Sequence, residues 1–206
     1  MAITLVEIIE YMGTFAFAIS GLRMASSKHF DLFGAYVVGF ATAVGGGTTR
    51  DLLLSQTPFW LATPSYLICT GVALAFVMIF SRYLTRIKNT IFIFDAIGLG
   101  LFVLVGLEKS VMLGFPLWVA VIMGMVTGAV GGILRDILVN EEPLIFRKEI
   151  YASACIAGGL IYCLLHYLGV NDVVVQISTI ASVIIVRIVA VYFGIGLPVL
   201  KGEEKT

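Results

Sequence analysis

Charged side chains are scarce in this chain. Only 13% of its residues are Asp, Glu, Lys or Arg, against about a quarter in soluble domains, while 60% are hydrophobic. That shortage excludes a water-soluble globular body and indicates an integral membrane protein. An excess of either charge is missing too. Basic residues number 13 and acidic residues 13, which excludes a nucleic-acid partner and a polybasic attachment to a membrane surface. Histidine occurs twice and cysteine three times. His29 and His166 lack metal-ligand company, and Cys69, Cys155 and Cys163 lie within apolar runs. Neither a fixed metal centre nor a disulfide framework is indicated, and no cofactor is expected. GxSxG, HExxH and Walker patterns are absent, so the chain does not read as an enzyme. A basic region and a small-residue cleavage site are missing at the N-terminus, so the first apolar segment is expected to be retained.

What the chain has is apolar length. A bilayer-crossing helix needs about 20 residues. Seven runs approach that length: 3–22, 32–54, 65–81, 89–107, 116–139, 150–168 and 174–196. Short polar connectors and a polar tail, 201–206, separate and follow them, so the chain reads as one all-α membrane domain over 1–206. Arg23, Lys28, Arg82, Arg86, Lys88, Arg147, Lys148, Lys201 and Lys205 fall on the side of the tail, and Lys109 stands alone on the other. The positive-inside rule therefore puts the C-terminus in the cytoplasm and the N-terminus outside. Trp60 and Trp118 read as interfacial belt residues.

The chain also repeats itself. A register shift of 85 residues carries Gly39 onto Gly124, Thr42 onto Thr127, Gly46-Gly47 onto Gly131-Gly132 and Arg50-Asp51 onto Arg135-Asp136. It also carries Glu10 onto Asp95, Gly13 onto Gly98, Phe17 onto Phe102, Gly21 onto Gly106, Pro58 onto Pro143 and Tyr66 onto Tyr151. The expectation is two copies of a three-helix unit, about 3–84 and 88–169, with a seventh helix at 174–196. An odd number of helices per unit inserts the second copy upside down. The result is an inverted repeat about an axis in the membrane plane, a plan common among transporters.

Each copy places a glycine cluster beside a charged pair. Ala35, Gly39, Ala43 and Gly47 share a helix face, as do Ala120, Gly124, Gly128 and Gly132, and such stripes let helices approach closely in lipid. Gly45-Gly46-Gly47 and Gly131-Gly132 are the weakest helix formers after proline. Their clustering suggests either a kink or an unwound turn whose free carbonyls coordinate a passing cation. Arg50, Asp51, Arg135 and Asp136 are expensive in a membrane unless paired or wet. Neighbours on a helix point about 100° apart. Cross-repeat pairing, Arg50 with Asp136 and Arg135 with Asp51, is therefore expected to form a latch. The competing reading is a helix-end arginine snorkelling to headgroups. Glu10 and Phe17, mirrored by Asp95 and Phe102, supply an acid and an aromatic ring for a cation-attracting vestibule with a hydrophobic constriction, or else acids at the headgroup level. Arg187 has no counterpart in the repeat, and neutralising a bundle acid, facing a lipid phosphate and supporting an oligomer contact all stay open for it.

Two inverted three-helix units, each with a Gly-Gly-x-x-Arg-Asp motif, followed by a seventh helix, resemble the prokaryotic members of the trimeric intracellular cation (TRIC) channel family. The resemblance runs from about residue 5 to 196. It implies a homotrimer in a prokaryotic inner membrane, each protomer holding its own pore for K⁺ and Na⁺. It also implies second and fifth helices bent at the glycines, and carries Arg50, Asp51, Arg135 and Asp136 over as pore-lining or gating residues. Animal relatives bind a phosphoinositide through a lysine-containing motif that is replaced here by Gly131-Gly132-Ile133-Leu134-Arg135. Some bacterial proteins with the duplicated motif have been linked to glycine transport.

Two functions follow as expectations. The first is a monovalent cation channel whose pathway and gating residues are Glu10, Phe17, Gly45, Gly46, Gly47, Thr49, Arg50, Asp51, Asp95, Phe102, Gly131, Gly132, Arg135 and Asp136, with lipids and a second and third copy of the chain as partners. The second is a secondary transporter of a small amino acid such as glycine, using the same repeat for alternating access.

Overall fold

The computed structural model describes residues 5–87 and 89–198. Lys88, Lys201 and Lys205 of the basic-residue reading, and the tail 201–206, lie outside the described residues. Among the described residues the chain forms nine α-helices: α1 Leu5–Ser27, α2 Leu32–Leu53, α3 Phe59–Ala62, α4 Ser65–Ile79, α5 Ser81–Arg86, α6 Thr90–Met112, α7 Leu117–Leu138, α8 Ala152–Tyr167 and α9 Asp172–Phe193. By length and composition α1, α2, α6, α7 and α9 can each cross a membrane, while α4 and α8 are shorter apolar helices of 15 and 16 residues.

Local chemistry sets these limits. Asp31 caps α2 by accepting the Gly34 amide at 2.7 Å, and Asn171 caps α9 by accepting the Val173 amide at 3.0 Å. Gly194 closes α9 in the left-handed region, φ 63°, which lets the Ile195 amide reach the Ala190 carbonyl at 2.8 Å. Two helices outrun their expected ends. The apolar pattern stops near Arg23 and Glu108-Lys109, yet α1 reaches Ser27 and α6 reaches Met112. The charges are carried inside helix because they find partners: Glu108 accepts from Gln176 at 3.2 Å, and Lys109 pairs with Asp51 at 2.8 Å.

Helices α1, α2, α7 and α6 form a closed ring, each packed on the next, with α4 against α1, α8 against α7 and α9, and α9 also against α6. Phe17, Ile19, Leu99, Leu104 and Leu107 fill the middle without exposure, while Leu32, Phe33, Leu52, Ile79, Trp118 and Tyr192 stand outward. Apolar side chains on the outer face are what lipid would cover.

The small-residue stripes are seams. A Cβ added to Gly21 would lie 2.9 Å from the Gly39 Cα, and one added to Gly106 would lie 2.8 Å from the Gly124 Cα. These seams, α1 on α2 and α6 on α7, coincide under the shift of 85. The crossing of α2 with α7 obeys the same register: Gly46 abuts the Thr127 carbonyl and Gly131 abuts the Thr42 carbonyl. The unwound turn expected at the glycines is not formed. Helix is unbroken through 41–50 and 126–136. Glycine here serves close backbone approach, which stabilises the continuous helix that its propensity disfavours. Thr48 and Thr49 donate to the Val44 and Gly45 carbonyls at 2.7 and 2.9 Å, so these oxygens stay committed within the helix.

Candidate functional site: two charged clusters at opposite ends of the ring

One cluster gathers where α1 begins and α2 ends. Arg50 is fully buried; its Nε donates to Asp51 Oδ1 at 2.9 Å and its Nη2 to Glu10 Oε1 at 3.3 Å. Tyr66 of α4 donates to the other Glu10 oxygen at 2.9 Å. Asp51 Oδ2 accepts the backbone amide of Phe59 at 2.9 Å, and the Phe59 ring lies 5.7 Å from the Arg50 guanidinium. Lys109 of α6 completes the set on Asp51 Oδ1. Two acids thus meet two bases.

The second cluster repeats the first. Arg135 donates from Nε to Asp136 Oδ1 at 2.8 Å and from Nη1 to Asp95 Oδ1 at 2.5 Å. Tyr151 donates to Asp95 at 3.4 Å, and the Leu144 amide to Asp136 Oδ2 at 3.1 Å. Every one of these contacts is its counterpart displaced by 85 residues. Two members break the match. Ser20 of α1 accepts from Arg135 at 2.7 Å, and Arg187 of α9 donates to Asp95 Oδ2 at 3.4 Å, Glu149 at 3.2 Å and the Ile150 carbonyl at 3.2 Å. The Arg187 guanidinium is stacked 4.8 Å from the Tyr151 ring and 5.1 Å from Phe92.

The cross-repeat latch expected from the sequence is therefore corrected: each arginine pairs with its own neighbouring aspartate and with the acid of its own repeat's first helix. The reason is distance. Asp95 and Lys109 mark the two clusters on α6, and their fourteen intervening steps span about 21 Å of helix. The clusters cannot exchange partners across that gap. Glu10, at 7% exposure, and Asp95, at 1%, are buried partners of arginine.

The ring between the clusters is uncharged, and its buried Thr14, Thr42 and Thr127 hydroxyls donate to carbonyls of their own helices. Phe17 and Phe102 lie 5.2 Å apart, centroid to centroid, and both are buried. Phe17 packs against Gly98 and Gly131, and Phe102 against Gly13, so each ring fills the space that the other repeat's missing side chains leave. Beside the second cluster opens a pocket of about 390 Å³ whose polar lining is Arg23, Asn89, Thr90, Asp95, Arg135, Glu149 and Arg187. One nitrogen of each of Arg50 and Arg135 is buried with no hydrogen-bond partner in the protein.

Most named candidates thus assemble into two clusters and a middle. Gly47 instead packs on Phe59, and Thr49 on its own helix. Sequence reasoning passed over Tyr66, Tyr151, Lys109 and the amides of Phe59 and Leu144. The tyrosines were visible as a matched pair under the shift, and Lys109 as the lone base on its side. The amides carry no side-chain signal.

Buried, duplicated ion-pair clusters inside a ring of helices long and apolar enough to cross a bilayer define an integral membrane protein, in which such charge is costly unless paired. The comparisons agree. A family model described as glycine transporter matches twice, over residues 7–82 and 92–167. The UPF0126 inner membrane protein YadS of Escherichia coli K12 is 36% identical over 203 residues, covering 97% of this chain and 98% of its own. A UPF0126 membrane protein of Vibrio cholerae is 37% identical over 197 residues, 95% of this chain and 82% of its own. The crystal structure of the trimeric intracellular cation channel orthologue from Rhodobacter sphaeroides superposes with a TM-score of 0.88 at 32% identity, covering 94% of this chain and all of that one. The chain belongs to the prokaryotic TRIC family, in which the UPF0126 membrane proteins are its bacterial relatives.

Proposed function

We propose that this protein is a monovalent cation channel, passing K⁺ and Na⁺ through a pore inside each protomer of a homotrimer in a bacterial inner membrane. The observation that carries the reading is the symmetric pair of charged clusters at the two ends of one apolar ring within a single chain. The pathway runs along the crossing of α2 and α7, where Gly45, Gly46, Gly131 and Gly132 thin the wall and Phe17 and Phe102 form the constriction. Glu10, Arg50 and Asp51 line one mouth, and Asp95, Arg135 and Asp136 the other. Thr49 and Gly47 flank the first mouth. The orphaned guanidinium nitrogens of Arg50 and Arg135 are the donors that a hydrated passage satisfies. Similarity to the Rhodobacter sphaeroides channel supports the same assignment.

The topology we propose counts α1, α2, α4, α6, α7, α8 and α9 as seven spans of one domain, with α1–α5 and α6–α8 as inverted repeats, the N-terminus outside and the C-terminus cytoplasmic. At about 1.5 Å per residue α4 and α8 reach about 23 Å, a mismatch a locally thinned bilayer absorbs.

Purified protein in a planar bilayer under a K⁺ gradient tests the function. Discrete steps reversing near the K⁺ potential are expected. Silence, together with saturable glycine uptake into liposomes, hands the protein to the carrier reading that the matching family model's description suggests.

A further inference from the structure

Beyond α9 the chain turns back on itself. Gly196 forms an isolated antiparallel bridge with Glu149, and the Leu197 amide donates to the Lys148 carbonyl at 3.0 Å. The approach requires glycine, because a Cβ at 196 would collide with that same carbonyl. The strap is therefore laid on the short segment whose Glu149 carboxylate and Ile150 carbonyl both accept from Arg187. Arg187 in turn reaches Asp95, and Asp95 holds Arg135. Glu149 is partly exposed and Arg187 wholly buried, so the strap touches the solvent-side end of a contact series whose other end is the second charged cluster.

Nothing in the repeat requires this arrangement. Arg187 lies outside both copies, and the first cluster has no equivalent base on its acid: the position of Asp95 Oδ2 is taken in the first copy by Tyr66 on Glu10. One mouth of the proposed pathway thus carries an additional arginine, seated in the wall of the 390 Å³ pocket between two aromatic rings.

We propose that Arg187 is a positioning residue for the cytoplasmic mouth and that the C-terminal strap, residues 195–197, holds it in place. With the strap down, Glu149 and Ile150 fix the guanidinium on Asp95, and the acid is fully neutralised. With the strap lifted, Glu149 is free to swing into water, Arg187 loses two of its three acceptors, and Asp95 turns toward the pathway as a cation-attracting group. The strap is then a closing device built from the segment that follows α9, and its two states differ by contacts that can be broken one at a time.

The inference rests on the channel reading, so its test has two arms. In bilayers, Gly196→Val is expected to raise open probability about tenfold, the scale of one lost charge-assisted hydrogen bond, with unitary conductance unchanged. Arg187→Gln is expected to do the same, and the double variant no more than either alone, because both act on one contact. In the second arm, intact-mass analysis after brief trypsin treatment reads cleavage at Arg147 and Lys148, which Gly196→Val is expected to accelerate. Wild-type currents with additive variants, or with an unmoved open probability for Gly196→Val, overturn the strap while leaving the channel standing. A silent wild type overturns the channel reading and the mouth-positioning role with it, while altered trypsin cleavage still reports whether the strap is docked. Should Gly196→Val fail to assemble, Leu197→Pro, which removes the amide donated to the Lys148 carbonyl without adding a side chain at 196, replaces it with the same expectations.

Discussion

At the scale of single residues, the two arginines set the energetics. Arg50 and Arg135 are unexposed, and each pairs with two buried carboxylates, sharing Asp51 with Lys109 in the first cluster and Asp95 with Arg187 in the second. Breaking such a group by removing one partner costs far more than the group contributes intact, about 3–5 kcal/mol. Arg135→Ala is accordingly expected to lower the unfolding free energy in detergent by that amount. The double variant Arg135→Ala with Asp95→Asn is expected to lose less than the sum of its parts, because the contact between the two is then lost only once. Additive losses would show that Arg135 and Asp95 do not act as a pair. Tyr66→Phe is a milder change: Glu10 loses one donor, and a loss of about 1–2 kcal/mol is expected in the same unfolding measurement. Arg50, Asp51 and their copies were legible as residues in the sequence because charge in an apolar run is conspicuous. Glu10 and Asp95 were legible too, as the matched acids of each repeat's first helix. Which arginine meets which acid was not, since sequence spacing says which residues share a helix face but not which end of a neighbouring helix lies beside them.

At the scale of elements, glycine decides how closely α2 and α7 cross. Gly46 and Gly131 each press on a threonine carbonyl of the opposite helix. Gly46→Ala is therefore expected to push the helices apart and destabilise the fold, despite alanine's better helix propensity. Gly71 is the control. It lies within α4 with nothing within 4 Å of an added Cβ, so Gly71→Ala is expected to be neutral or to stabilise by up to about 1 kcal/mol. Thermal unfolding of the two variants side by side checks both signs; destabilisation by Gly71→Ala and not by Gly46→Ala would reverse the assignment. The glycine clusters were easy to see and hard to interpret. Propensity alone points to a break, whereas tertiary approach of a second backbone favours continuous helix, and only the partner's position distinguishes them. Helix ends were legible to within a few residues wherever a cap or glycine marked them. They were missed at Ser27 and at Met112, where the pairing of Glu108 with Gln176 and of Lys109 with Asp51 lets α6 continue through charge.

At the scale of the whole molecule, the connectors on the side that we propose to be cytoplasmic are tied together. Lys28, between α1 and α2, pairs with Glu141, just after α7, so an exposed ion pair joins the first half of the chain to the second. Hydrogen bonding and proximity to the Lys28 ammonium, aided by Arg147, hold the Glu141 carboxyl below its ordinary value. The sign follows from that depression. The contact contributes fully above the unfolded glutamate value, about 4.3, and is lost as pH falls through the lower folded value. Since both groups are solvent-exposed, the contribution is local and small, and the global unfolding temperature is expected to stay put. Amide exchange in 28–31 and 139–142 is the sensitive readout. Corrected for the intrinsic rate, protection there is expected to be flat above pH 5 and to fall below about 4.3. Lys28→Gln abolishes the step by returning Glu141 to the ordinary carboxylate range. A pH step that survives Lys28→Gln would place the titrating group elsewhere, and would mean that the two halves are joined only through their buried helices.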